Sequence, residues 1–196
     1  MSEPTPPFGP SEVEDRPRAK SRDSAAAASP KAQSIRAYGL GIALFVFILD
    51  QVTKYIVTVP LQLQERRLIE ILPIFDLNWT ENRGVSMGYL TADTDLMRWL
   101  LVAFTSAIAL FVAVWMWREK RRDDVIGLGL VLGGALGNIL DRMRFGYVVD
   151  FLDLHFGEIR PFLVFNVADA AITIGVLLLL VRALLMRDKG DKKKES

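Results

Sequence analysis

Four long apolar runs dominate the chain, and short polar stretches separate them. The first is Tyr38–Val59, closed by Pro60; the others lie at about 96–117, 125–143 and 162–186. A helix needs roughly 20 apolar residues to cross about 30 Å of hydrocarbon, and each run is of that order. The stretches LLVAFTSAIALFVAVWMW and ITIGVLLLLVRALL have no polar face to turn toward water. A helix that is apolar all round belongs in lipid or in a very large core, and this chain is too small for such a core. The pattern predicts a mainly α membrane protein with four transmembrane helices.

The pattern changes within 61–95. Leu68-Ile-Glu-Ile-Leu-Pro-Ile-Phe-Asp-Leu-Asn-Trp-Thr80 alternates in part and is rich in β-branched and aromatic residues. It reads as one or two short strands around Pro73, and Gly84 and Gly88 break any regular element after Thr80. A small sheet lying on the outer membrane face is expected. Trp79 and its neighbours over 76–89 are positioned to touch substrate or lipid, or to anchor at the interface. Asn78-Trp-Thr80 matches a glycosylation sequon, which carries little weight inside a short strand.

Charge gives the orientation. The 196 residues are 51% hydrophobic and 24% charged, with net charge +1, and mean hydropathy is +0.26. Averaged this way the chain resembles a soluble globule, but the charge is concentrated outside the spans. Basic residues number 6 in the first 37 residues, 4 in 118–124 and 6 in 182–196, against 3 in 61–95 and 2 in 144–161. The Lys/Arg bias puts both termini and the 118–124 loop in the cytoplasm and the two longer loops outside. Residues 1–37 are rich in Pro, Ser, Ala and charge and read as a disordered cytoplasmic tail. They do not form a secretory signal peptide. Residues 38–186 form the membrane domain, and 187–196 a basic cytoplasmic tail.

Composition also excludes chemistry. There is no Cys, hence no disulfide, thiolate metal site or catalytic cysteine. His155 is the one histidine. Net charge near zero gives no case for nucleic acid.

What remains is a set of polar residues where lipid should be, and such residues are functional candidates by default. Asp50 and Lys54, at i,i+4, share a helix face. They form either a neutralising pair or a substrate-positioning one. Gly129, Gly133 and Gly137 make a ridge for close helix packing. Asn138, Asp141 and Arg142 come next, and the last two could form an ion pair at the outer interface. Asp150 lies in the apolar Val148-Val149-Asp150-Phe151 segment. Asn166 and Asp169 lie at i,i+3 near the outer end of the fourth span.

If Asp150 and Asp169 meet, both cannot ionise cheaply. One keeps its proton, the other becomes a base, and the pair titrates as a unit. Such a dyad can activate water against a carbonyl. Asn138, Asn166 and Arg142 could orient it. Proton or ion translocation is the main alternative, since intramembrane acids also serve transporters. Asp150, Asp153, Asp169 and His155 lack any recognised metal-site spacing, and no metal or other cofactor is expected.

Five segments together resemble a known family. They are Asp50-Gln-Val-Thr-Lys54, Asn82-Arg-Gly84 with Gly88 beyond it, Gly133 through Arg142, Val148-Val-Asp-Phe151, and Phe165-Asn-Val-Ala-Asp169. In this order on four spans, they closely resemble bacterial lipoprotein signal peptidase (signal peptidase II), over about residues 38–186. The resemblance implies that Asp150 and Asp169 are the catalytic dyad. It also implies that Asn138, Arg142 and Asn166 line the site, and that Asp50, Lys54, Asn82, Gly88, Gly137, Asp141 and Ala168 support it or contact substrate. It implies a four-helix body with an outward β-cradle and a mobile outer loop, in the bacterial inner membrane. The implied substrate is a diacylglyceryl-modified prolipoprotein, cleaved just before the lipidated cysteine, and the implied surroundings are membrane lipids. The protein is expected to act as a monomer. Met87 stands where the family usually has Phe, and it can fill the same apolar space.

Overall fold

The computed structural model describes residues 30–84, 95–157 and 159–192, with side chains over 33–185 of these. The elements run α1 (Pro30–Thr58), α2 (Leu63–Arg66), β1 (Leu68–Leu72), β2 (Phe75–Asn82), α3 (Asp95–Arg118), α4 (Arg122–Phe145), β3 (Val148–Leu154) and α5 (Val167–Lys192). Among the described residues, four segments are long and apolar enough to cross a membrane: Gln33–Thr58, Asp95–Arg118, Arg122–Phe145 and Val167–Leu185.

The bundle is organised around α4, which packs on α1, α3 and α5, while α1 and α3 scarcely touch. The reason is the small-residue composition of α4. The positions of missing methyls show how close its neighbours come. A Cβ on Gly129 would lie 2.8 Å from the Gly39 carbonyl of α1. One on Gly134 would lie 2.5 Å from the Ala168 carbonyl of α5. Gly137 has the Asp50 carboxylate where a side chain would begin. The glycine ridge is thus used within the chain, against α1, and Gly134 makes a second contact face toward α5. Lipid-facing side chains such as Phe45, Phe104, Phe111 and Leu184 are exposed, as a helix in hydrocarbon requires.

At one end of the bundle Arg182 of α5 reaches Asp123 at 2.5 Å and Asp124 at 3.0 Å in the first turn of α4. The Arg36 guanidinium lies 4.9 Å from the Trp117 ring centroid. At the opposite end, beside the sheet, α4 stops at Gly146, whose positive φ of 85° places its N–H on the Arg142 carbonyl at 3.1 Å. Arg98 also covers carbonyls there, donating from Nε to Arg142 O at 2.8 Å and from Nη2 to Met143 O.

The cradle is a three-stranded antiparallel sheet in the order β1-β2-β3. Pro73 and Ile74 turn β1 into β2, as the alternation predicts. The third strand comes from the connection between α4 and α5, where the sequence pattern predicts none. Val148–Leu154 is buried almost throughout, so it lacks the in-out alternation of a half-buried strand. The fourth apolar run also begins differently from the expected 162–186 helix. Phe165 bonds its backbone to Leu152 in both directions, at 3.0 and 2.8 Å, extending the sheet edge, and the helix starts only at Val167.

Trp79 is 5% exposed, packed with Val57, Leu63, Val149 and Phe151 beneath the sheet. It is a core residue of the cradle, and neither a lipid anchor nor a free contact surface. A bulge in the β2–β3 register beside it, between Leu77 and Thr80, breaks the alternation from which an exposed position would be inferred.

Candidate active site

Asp150 sits near the start of β3 and is 1% exposed; Asp169 lies in the first turn of α5 and is half-buried. Between them stands Asn166, fully buried. Its Nδ2 donates to Asp150 Oδ1 at 2.6 Å, and its backbone N–H to Asp169 Oδ2 at 3.3 Å. Its Oδ1 accepts the Asp169 N–H at 2.9 Å, capping the start of α5. One residue therefore orients both carboxylates. Asn138 completes the link, donating from Nδ2 to Asp169 Oδ1 at 2.8 Å and accepting from Asn166 Nδ2 at 3.2 Å. Asn82, exposed at the end of β2, donates to Asp150 Oδ2 at 3.0 Å and accepts the Gly84 N–H.

A charged hub lies beneath. Lys54 Nζ is 2.9 Å from Asp50 Oδ2, 2.7 Å from Asp141 Oδ2 and 3.1 Å from Asn138 Oδ1. Those three acceptors match its three donors. Each carboxylate of the hub then reaches backbone next to the dyad. Asp50 Oδ1 accepts the Ala168 N–H at 3.0 Å, and Asp141 Oδ2 accepts the Val149 N–H at 3.2 Å. The Asp50–Lys54 pair is thus neutralising, and its carboxylate also fixes the chain's own backbone at Ala168. Gln51, not singled out in the sequence, bridges the two acids, donating to Asp50 Oδ2 and Asp141 Oδ1, both at 3.1 Å. A polar residue in mid-span is the signal that marks it.

The expected Asp141–Arg142 pair is not formed. Neighbours on a helix point about 100° apart, and the Asp141 carboxylate is committed to Lys54, Gln51 and Val149. Arg142 instead turns toward Gly84; its Nη2 is 3.8 Å from where a Gly84 methyl would sit, and its buried Nε has no hydrogen-bond partner among the described residues. Gly88 and Met87 lie outside the described residues.

Burial, with the nearby Asp169 charge, pushes the Asp150 carboxyl up to about 7 despite the Asn82 and Asn166 hydrogen bonds. Asp153 belongs elsewhere: three positions from Asp150 on a strand, it points to the opposite face, where it pairs with Arg160 and accepts from Asn78 at 3.0 Å. His155 is on that side too, 3.7 Å from Asp76. Among the described residues no three His, Cys, Asp or Glu side chains are arranged to hold a metal ion.

These membrane-length helices, with a small sheet carrying the buried Asp150 toward the half-buried Asp169, define a multi-pass membrane protein with a carboxylate-and-amide site. Comparison with known proteins narrows this. The family model of signal peptidase (SPase) II matches residues 42–185. A lipoprotein signal peptidase of Rhizorhabdus wittichii is 61% identical over 153 residues, spanning 78% of this chain and 89% of that protein. One from Sphingopyxis alaskensis is 59% identical over 155 residues, spanning 79% and 90%. Two solved bacterial membrane enzyme structures, each 30% identical, superpose with TM-scores of 0.65 and 0.66. They cover 80% and 76% of this chain, and 92% and 93% of their own. The chain belongs to the signal peptidase II family, a family of peptidases, and the transport alternative finds no support.

Proposed function

We propose that the protein is an aspartyl endopeptidase that removes the signal peptide from diacylglyceryl-modified prolipoproteins, cleaving just before the lipidated cysteine. The relatives' name supports the substrate class. The observation that carries the catalytic assignment is Asn166, bonded to Asp150 and Asp169 at once. Asp150, the more deeply buried acid, holds the proton, and Asp169 is the base. Asp169 takes a proton from water, the water oxygen attacks the scissile carbonyl, and the Asp150 proton passes to the carbonyl oxygen. On collapse Asp169 gives its proton to the departing amine as the C–N bond breaks, and a hydroxyl proton returns to Asp150. Asn138, Asn166 and Arg142 line the reaction, and Asp50, Lys54, Gly137, Asp141 and Ala168 hold the frame.

In this reading the enzyme works as a monomer in the bacterial inner membrane, among its lipids. Its termini are cytoplasmic and its dyad is near the outer leaflet. The test is Asp150→Asn and Asp169→Asn, made separately and assayed on a diacylglyceryl-modified prolipoprotein. Each variant inserts and neither cleaves; normal processing by either one removes the dyad assignment.

A further inference from the structure

Two cavities flank the carboxylates, one of mixed polar and apolar lining and one almost wholly apolar. A cleft of about 330 Å³ opens at Asp150, walled by Thr80, Glu81, Asn82 and Arg83. A cavity of about 490 Å³ opens at Asp169, walled by Leu154, Phe162, Phe165, Ala170 and Ile174. Leu163 borders both.

A peptide must be unwound where its carbonyl is attacked, and each unwound N–H and C=O needs a hydrogen-bonding partner away from water. The Asp150 cleft offers polar partners. The Asp169 cavity offers, besides Asp169 itself, only the Thr173 hydroxyl among its lining side chains. It suits a ligand with no polar groups to satisfy. It also runs down the span. From Asp169 to Ile174 is about 7.5 Å at about 1.5 Å per residue, and its rim is open to lipid, with Phe162 60% and Ile174 52% exposed.

We propose that the Asp169 cavity receives an acyl chain of the substrate's diacylglyceryl group. The peptide backbone lies in the Asp150 cleft. The lipidated residue comes directly after the scissile bond, so its hydrocarbon begins where the two cavities join. This inference rests on the peptidase reading above.

The test uses the full chain in detergent micelles and two prolipoprotein peptides with the same signal sequence. One carries palmitoyl chains and the other butanoyl chains. The native protein prefers the palmitoyl peptide. Ile174→Trp fills the cavity, and burial lost over about two methylenes lowers that preference about tenfold, through KM. Leu136→Trp, on the α1/α4 groove, keeps it. An unchanged preference in Ile174→Trp, an equal loss in Leu136→Trp, or a change that tracks the signal sequence instead of acyl length overturns the proposal. If the native protein cleaves neither peptide, the peptidase reading fails. The cavity is then judged by an Ile174→Cys variant of this cysteine-free chain. The palmitoyl peptide protects that thiol from a lipophilic reagent and the butanoyl peptide does not; equal labelling with both overturns the cavity assignment.

Discussion

Lys54 Nζ lies 3.1 Å from the side-chain oxygen of Asn138, and this contact decides which way the Asn138 amide faces. An ammonium only donates, so the amide oxygen must point to it and the NH2 group to Asp169. Replacing Asn138 by Asp keeps the partner of Lys54 but puts a second acceptor against Asp169. Cleavage by Asn138→Asp is expected to fall by about 100-fold or more in kcat, the scale seen when a single site donor is removed. Stopped-time cleavage assays check it; a near-native kcat would falsify the orienting role.

The hub makes a second prediction. Lys54→Met leaves Asp50 and Asp141 buried side by side with no cation. Breaking a buried pair in this way costs about 3–5 kcal/mol. Lys54→Met combined with Asp50→Asn and Asp141→Asn should recover much of that loss. Unfolding midpoints in detergent separate the two variants. Equal destabilisation would mean that charge imbalance is not the cause.

Activity should decline as pH rises through about 7, where Asp150 gives up the shared proton. The raised pKa sets the sign for stability too. The folded state binds this proton more tightly than the unfolded chain, so its contribution to stability is full at low pH and is lost as pH climbs toward 7. The protonated carboxyl stretch in the infrared reads the group directly. A band absent from Asp150→Asn should be present about one unit below 7 and gone about one unit above. A band insensitive to that range removes the proton from Asp150.

Gly137→Ala drives a methyl into the Asp50 carboxylate. Overpacking of this kind costs about 1–3 kcal/mol, and because Asp50 holds the Ala168 N–H, kcat should fall with stability. Ala at Leu136, one position earlier and facing outward, serves as the comparison. If both variants behave alike, the Asp50 contact is not what Gly137 protects.

Topology can be read by single cysteines, since the natural chain has none. A thiol placed at Ser11 or Lys120 should label only from the cytoplasmic side, and one at Ile71 only from outside. The reverse pattern at any of the three would invert the assigned orientation.

The spans are legible in the sequence because hydrocarbon imposes a length and a composition that no tertiary contact can disguise. The acids are legible for a related reason: Asp50, Asp150 and Asp169 stand where a charge is costly unless it is used or paired. Pairing is harder to read. Nothing in Val148–Leu154 announces that it joins strands some seventy positions earlier, because a strand buried on both faces loses its period. Adjacent numbering pairs Arg142 with Asp141, but Lys54 from another helix occupies that carboxylate. Gln51 stands out as a polar residue in a span, but its bridging role is hidden because its second acid lies on another helix, outside the i,i+4 relations a sequence displays.

Chain order adds a consequence for the protein's own synthesis. Asp150 is made before the last span, but Asp169 and the Asn166 that orients both acids arrive with it. Until that segment packs against α4, the nascent chain holds Asp150 with Asn82 but without its second acid. On the proposed dyad, processing by a newly made copy cannot precede the insertion of α5.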